Sequence, residues 1–379
     1  MHGVKRLFAW MIPRFDPRHF EVSLVSLRRR DVSEETLDDL GIDITYLAKG
    51  KFDPTTLPAL LRIIARKQID VLHLHGYGAT TFGRLAAAIR RLPVVLHEHA
   101  NLTTTPWFQK VADRALEPFT DIAIAVSQST ARFVVDARLV RPSRVRVVYL
   151  GAPLEEFNVV RPAAEIAAIR SELGIAPGEF AVGTITRLHD SKGNDYLVDA
   201  ARRVLDTHPR ARFFLFGEGP LRPALEARAA GLGLGDRFVF GGFVRDVSRV
   251  LSAFDLSAFP SLWEGTPLTV FEAMAAGRAI VATDADGLIE VLSHERNAII
   301  VPRRDSAALA GGIVRLIDDD ALRARLAAEA RRSSVQFDIT TFVRKMERLY
   351  GILVHQSRSS RRDIVGTADL SFLTGSAAS

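Results

Sequence analysis

Residues 260–277 read PSLWEGTPLTVFEAMAAG, and they place a strand end, a loop and a helix start in one line. The apolar run Leu256–Ser261 reads as a buried strand, Glu264 and Gly265 as its loop, and the helix as starting near Thr266–Pro267. Thr266 suits the N-cap and Pro267 the first helical position. A helix N-terminus offers free N–H groups and a positive dipole end, which suit a diphosphate. Glu264 and Glu272 have seven residues between them, so that both can address one cleft mouth. Carboxylates there accept hydrogen bonds from sugar hydroxyls. Small residues Ala273, Ala275, Ala276 and Gly277 close the segment.

Outward from this stretch, short apolar runs alternate with longer helical patterns. On the N-terminal side the runs are Phe20–Leu27, Ile69–His75, Pro93–His99, Asp121–Ser127 and Arg144–Leu150. Helical patterns separate them at Pro58–Gln68, Gly83–Arg91, Trp107–Leu116 and Ser129–Ala137. The rhythm pauses over a Pro/Gly-marked segment near residues 151–178. It resumes at Phe180–Ile185, Arg212–Gly217, Arg237–Gly242, Leu256–Ser261 and Ala279–Thr283. Near-continuous apolar strands separated by helices imply parallel sheets covered on both faces. The expectation is two doubly wound α/β domains, 1–157 and 158–335. A helix over 336–356 is expected to pack back on the first, and 357–379 to form a disordered tail. In such sheets ligands bind beyond the carboxyl ends of the strands.

Composition narrows the class. A chain of 379 residues that is 47% hydrophobic is not disordered throughout, and no apolar run reaches the length of a bilayer span. No secretory signal pattern is seen, because Pro13, Arg14 and Asp16 interrupt the first apolar residues. The absence of Cys excludes disulfides, zinc–thiolate sites, iron–sulfur clusters and a Cys nucleophile, and fits a cytoplasmic location. Of the formal +6, residues 1–157 carry 22 basic against 17 acidic groups, or +5. No nucleic-acid-binding motif accompanies that excess, so nucleic acid is not an expected partner. His73, His75, His97 and His99 lie near strand ends; alternation puts His97 and His99 on one face and Glu98 on the other, and no metal is predicted.

Taken together, the segment 260–277 resembles the E-x7-E motif of retaining glycosyltransferases of the GT-B fold, especially glycosyltransferase family four. The resemblance extends to TRLHDSKG (186–193), FGEGP (216–220), GGFVRDV (241–247), ATDADGLIEVL (282–292), the HEHAN loop (97–101) and AVSQS (125–129). It implies a GT-B fold: two Rossmann-like domains facing across a cleft whose closure excludes water. It implies that Arg187 and Lys192 hold the donor's diphosphate without a metal, as two cations at a strand end can. Glu272 would bind the ribose, Glu264 the transferred sugar, and Gly265, Thr266 and Leu268 the phosphate and sugar. Gly217 and Gly219 would let the backbone pass close to the nucleotide, while Phe243 and Val244 line the base pocket. His99 would face the donor sugar, and Ser127 is a turn residue or the family's Ser at a strand end.

The implied activity is transfer of a sugar from a UDP- or GDP-sugar to an acceptor hydroxyl with retention of configuration, in polysaccharide, glycolipid or cell-envelope synthesis. The nucleotide-sugar is a substrate, and no cofactor is expected. The partner implied is a glycan or lipid-linked acceptor. The charge excess of the N-terminal domain adds, apart from the resemblance, the expectation of an anionic membrane surface. The N-terminal domain would lean on that surface through its charge and through Leu7, Phe8, Trp10, Met11 and Ile12.

Two departures stand out. Thr186 occupies the place of a common Gly. Gly3–Phe15 reads as the family's first helix and Phe20–Leu27 as its second strand, so the first strand and most of the acceptor-side Gly loop are missing. That leaves either a start upstream or an impaired first domain, and hence the alternative of a non-catalytic nucleotide-sugar binder. Another GT-B enzyme such as an epimerase also remains an alternative.

Overall fold

The computed structural model describes residues 3–30, 37, 40–50, 52–99, 105–359 and 369–374. Ala100 and Asn101 of the HEHAN loop, the acidic residues Asp31, Glu34, Glu35, Asp38 and Asp39, and most of the tail lie outside the described residues. The chain divides into two compact units, 1–151 with 339–379, and 152–338.

The first unit opens with α1 (Gly3–Met11), β1 (Leu24–Ser26), β2 (Ile44–Tyr46), α2 (Thr56–Arg66), β3 (Leu72–His75) and α3 (Tyr77–Arg90). It continues through β4 (Val94–Glu98), α4 (Trp107–Leu116), β5 (Ile122–Ala125), α5 (Gln128–Asp136) and β6 (Val145–Val147). All its strand pairs are parallel, but they form two sheets, β1-β2 and β3-β4-β5-β6. β4 and β5 are buried along their whole length apart from Glu98, as apolar runs VVLH and IAIA demand.

Among the described residues no strand precedes α1, and none lies between β1 and β3. A cavity of about 1540 Å³ occupies that place, lined from both strand neighbourhoods by Val25, Leu27, Leu72 and Leu74 and capped by Phe8 and Tyr350. β1 is accordingly shorter than the expected Phe20–Leu27, because a strand paired on one side only holds three residues in register with β2.

The second unit runs α6 (Leu154–Phe157), α7 (Ala163–Glu172), β7 (Phe180–Ile185), α8 (Asn194–Thr207), β8 (Ala211–Phe216), α9 (Arg222–Gly231) and β9 (Phe238–Gly242). Then come α10 (Val247–Ser252), β10 (Leu256–Phe259), α11 (Leu268–Ala275), β11 (Ala279–Thr283), β12 (Ile299–Val301), α12 (Ser306–Asp318) and α13 (Asp320–Ser334). Its single parallel sheet has the order β12-β11-β10-β7-β8-β9. The order reverses between β7 and β10, which makes the gap between their following loops the topological switch point. α6 belongs here: the Ala152 N–H donates to the Phe337 carbonyl (3.0 Å), and Ala152 bridges Asp338, which moves the division from 157/158 to 151/152.

α14 (Ile339–Ser359) is part of the first unit, where Glu347 accepts from the Asp16 N–H (2.7 Å) and Tyr350 stacks on Phe15. Two expectations fail in this unit. Leu7, Trp10 and Met11 are buried, at 0%, 8% and 4% exposure, because their i, i+3, i+4 spacing is the core stripe of α1 and not a membrane face. The tail is not wholly disordered, since Leu370 and Leu373 are buried, Lys345 donates to the Leu373 carbonyl (3.2 Å) and Arg348 sits over the Phe372 ring (4.1 Å). Three apolar side chains within a Ser-rich stretch are enough to anchor it. Among the described residues no helix is long and apolar enough to cross a membrane.

Candidate active site

The second unit gathers its predicted residues at the switch point. The segment after β7 turns from Arg187 through a short 3-10 turn, Asp190–Lys192, into α8. Gly193 makes that turn with a φ of +57°, and a Cβ there would lie 2.1 Å from the Pro260 carbonyl oxygen at the end of β10. The Leu262 N–H donates to the Ser191 carbonyl (2.8 Å), so the two loops are stitched backbone to backbone. This close approach puts Lys192 Nζ in an ion pair with Glu264, whose carboxylate also accepts from Ser261 Oγ (2.8 Å). Both side chains are mostly buried, at 17% and 9% exposure. Arg187 is exposed, and its carbonyl accepts from the Asn194 amide (3.1 Å).

The neighbouring loops join the same backbone network. Gly217 has a φ of +131°, and a Cβ on it would meet the Thr186 carbonyl oxygen at 1.8 Å; one on Gly219 would meet the Leu188 oxygen at 2.2 Å. These glycines therefore let the β8 loop lie against the β7 loop. The Leu188 N–H completes the contact by donating to the Glu218 carbonyl (3.0 Å). The Gly217 N–H reaches the Gly242 carbonyl (2.7 Å), which fixes the exposed Phe243 and half-buried Val244 just beyond β9. Gly287 packs so closely on Gly265 that a Cβ would fall 1.5 Å from its carbonyl oxygen.

The helix of the motif begins later than its sequence suggests. Pro267 is the N-cap with extended backbone, α11 starts at Leu268, and Thr266 Oγ1 donates back to the Gly265 carbonyl (2.7 Å) instead of capping. A proline ahead of the first turn lacks the N–H whose absence matters least there. Gly265, Thr266 and Leu268 are buried around this turn, and Glu272, one turn into α11, is fully buried. The N-termini of α8 and α11 follow the adjacent strands β7 and β10, so two positive dipole ends belong to the same switch point.

Residues that sequence reasoning missed hold this site. Arg303, beyond β12, donates to the Leu262 carbonyl (3.0 Å), Asp284 (3.2 Å) and Asp286 (3.3 Å), tying three loops together. Its target is 41 residues away in sequence, so no local pattern marks it.

In the first unit, His73 and His75 on β3 and His97 and His99 on and after β4 form a stacked quartet. Ring centroids lie 4.2–5.1 Å apart. His73 Nε2 and His97 Nδ1 share a hydrogen bond (3.1 Å), as do His75 Nδ1 and His99 Nε2 (2.8 Å), and His73 Nδ1 meets the Tyr350 hydroxyl (2.5 Å). Burial pushes His73 down to about 3 and His99 to about 4, and burial with neighbouring imidazoles puts His75 and His97 well below the ordinary range. All four are neutral near pH 7. One ring nitrogen each of His73, His75 and His97 lies within 4.8 Å of the others. Of these three, His73 and His97 hydrogen-bond each other, while His75 bonds His99.

On the opposite face of β4, Glu98 pairs with Arg138 (3.1 Å), and its carboxyl is raised by burial against the pull of that cation. Arg138 also pairs with Asp113 (3.1 Å), which pairs in turn with Arg84. His99 thus leaves a strand pinned on both faces. Ser127 is the N-cap of α5, accepting from the Thr130 N–H (3.1 Å).

Comparison with known proteins gives a consistent picture. The model of "Glycosyltransferase Family 4" matches residues 1–156, and that of "Glycosyl transferases group 1" matches residues 179–319. A curated relative from Escherichia coli, UDP-Gal:alpha-D-GlcNAc-diphosphoundecaprenol alpha-1,3-galactosyltransferase, is 26% identical over 310 residues, covering 79% of each chain. The lipopolysaccharide core biosynthesis glycosyltransferase LpsD of Rhizobium meliloti is 35% identical over 175 residues, 46% of this chain and 49% of LpsD. Among solved structures, HepE of Anabaena in complex with UDP-glucose superposes with a TM-score of 0.81 at 23% identity, over 93% of this chain and 96% of HepE.

Proposed function

Because the chain belongs to the group 1, family 4 glycosyltransferases and has their GT-B fold of two Rossmann-like domains, we propose that it transfers a sugar from a UDP- or GDP-sugar to a hydroxyl of a glycan or lipid-linked acceptor, with retention of configuration. The observation that carries this reading is the pairing of Lys192 with Glu264 at the switch point of the second unit. A cation and a carboxylate, held there by backbone bonds, neutralise each other until the donor arrives. The donor diphosphate then takes Lys192, together with Arg187 and the N-termini of α8 and α11. The released Glu264 accepts from hydroxyls of the sugar. As the glycosidic bond breaks, negative charge grows on the leaving diphosphate, and these groups are already oriented toward it.

Glu272 is the ribose ligand in this reading. Gly265, Thr266 and Leu268 supply backbone to the phosphate and sugar, Phe243 and Val244 line the base, and Gly217 and Gly219 keep the loops close enough to form the floor. His99, neutral near pH 7, hydrogen-bonds the donor sugar. Retention rests on the family resemblance. The E. coli relative, named for a galactosyl transfer to a lipid diphosphate acceptor, and LpsD, named for lipopolysaccharide core synthesis, favour an envelope acceptor.

A thermal-shift screen of nucleoside diphosphates and nucleotide-sugars tests the proposal. Ligand at a hundred times its Kd adds about 2.7 kcal/mol, so one base class should raise Tm by several degrees. No shift with any nucleotide would refute the donor site. A second reading is a nucleotide-sugar binder without turnover. It would show the same shift and no sugar transfer.

A further inference from the structure

The first unit puts imidazoles where its sheet elsewhere puts hydrocarbon. β3 and β4 pair in parallel, in the register Leu72↔Val94 to His75↔His97. His75 and His97 are therefore direct neighbours, and period-two alternation carries His73 to the same face. On that face Val95, Ile122 and Ile124 are fully buried and apolar. Imidazole in such a place loses its hydration, and hydrogen bonds return it only in part. His97 is 0% exposed, and its Nε2 has no hydrogen-bond partner among the described residues.

The cluster has the chemistry of a ligand set. The Tyr350 hydroxyl holds His73 Nδ1 and His99 holds His75 Nδ1, as outer partners hold metal-binding histidines. His73 Nε2 and His97 Nδ1 are 3.1 Å apart. Two nitrogens on one tetrahedral zinc ion are about 3.4 Å apart. One nitrogen from each of His73, His75 and His97 lies within 4.8 Å of the other two. The χ2 torsion of His is broad, so a ring turn of about an ångström closes that triangle. The rings are neutral near pH 7, so a change of tautomer, without loss of a proton, presents each lone pair. No carboxylate belongs to the set, which disfavours magnesium and calcium, while imidazole suits zinc, copper and nickel. The cavity between β1 and β3 is lined by His73 and His75 and by the exposed Glu21, Gln68 and Asp70, which gives an ion a path from solvent. We infer that His73, His75 and His97 form a binding site for a divalent transition-metal ion of the zinc class, with water in its fourth position. The ion ties the edge strand β3 to β4. This overturns the expectation of no metal from the sequence, and it does not depend on the donor reading of the second unit.

The test is titration calorimetry of the full chain, stripped with a chelator and desalted, with zinc chloride and with magnesium chloride. Wild type should take up one zinc ion per chain and no magnesium. Zinc at a hundred times its Kd should raise Tm by several degrees. Cobalt(II) in its place should give the visible absorption of a four-coordinate ion and broaden the ring resonances of His73, His75 and His97 before those of the exposed His294. Tyr350→Phe removes an outer partner and should weaken zinc binding by about tenfold, whereas His75→Gln removes a ligand and should weaken it by at least about a hundredfold. His294→Gln, a surface change in the second unit, should bind zinc as wild type does. If His75→Gln fails to fold, the cobalt spectra of wild type decide alone. Zinc uptake that survives His75→Gln, or cobalt that leaves these three rings sharp, overturns the inference. So does wild type that binds no zinc, which would leave the quartet as a hydrogen-bonded core.

Discussion

The two units are built from the same βα units but differ at their centres. In the second, β7 and β10 pair directly, and the loops that follow them close on each other through backbone hydrogen bonds. In the first, β1-β2 and β3-β4-β5-β6 are separate sheets with a cavity between β1 and β3. The second unit holds its functional side chains by main-chain geometry, which few substitutions can alter. The first holds its histidines by side-chain pairing, with Tyr350 of α14 closing one end. A parallel sheet that is continuous through its centre makes a rigid donor platform. One that is split there leaves its site dependent on buried polar contacts, which are sensitive to protonation.

The contrast is open to attack at single glycines. Gly217→Ala places a Cβ on the Thr186 carbonyl and should cost about 3–5 kcal/mol in denaturant titration, the range of a severe backbone clash. Gly76→Ala in the first unit also has a positive φ, in a region adopted essentially by glycine alone, but nothing lies within 4 Å, so about 1–3 kcal/mol is expected. Equal costs would break the claim that the second unit is the backbone-locked one. Hydrogen exchange sharpens the same point. Amides of β1 and β2 should exchange at least about a hundredfold faster than those of β7 and β8, whose strands are paired over six residues.

Acid should separate the units further. The quartet's folded pKa values lie below the ordinary 6.5, so the unfolded chain binds more protons in between. The stability this contributes is complete above pH 6.5 and is lost as pH falls toward about 4 and 3. Protection of β3 and β4, corrected for intrinsic exchange, should therefore fall over that window before that of β7 and β8. The smallest effect is at a cap: Ser127→Ala should lower stability by about 1 kcal/mol without changing nucleotide binding, since its partner is the Thr130 N–H in the first unit.

The fold was legible because buried parallel strands leave apolar runs that survive any loop variation. β7 and β11 match their expected runs at both ends. β2 and β12, three residues each, carry too little pattern to be read. The site was legible as a set of residue types but not as a geometry. Gly217 and Gly219 face neighbouring carbonyls, a long-range fact, and Arg303 acts across 41 residues. Local signals also misled where a tertiary contact overrode them. Thr266 looks like a cap yet bonds to Gly265, and the α1 stripe that suggested a membrane face is core. The exposure of Trp107 and Val111 on α4 is likewise invisible until Asp113 is seen buried with Arg84 and Arg138.

The account stands most directly on Lys192. Titration calorimetry with the nucleoside diphosphate that raises Tm, on wild type and Lys192→Ala, should show binding weakened about 10- to 150-fold, the value of one hydrogen-bonded charge, measured well below the Tm of the variant, which is lowered because the mostly buried Glu264 loses its cation. Binding of that nucleotide to Lys192→Ala as tight as to wild type would contradict it.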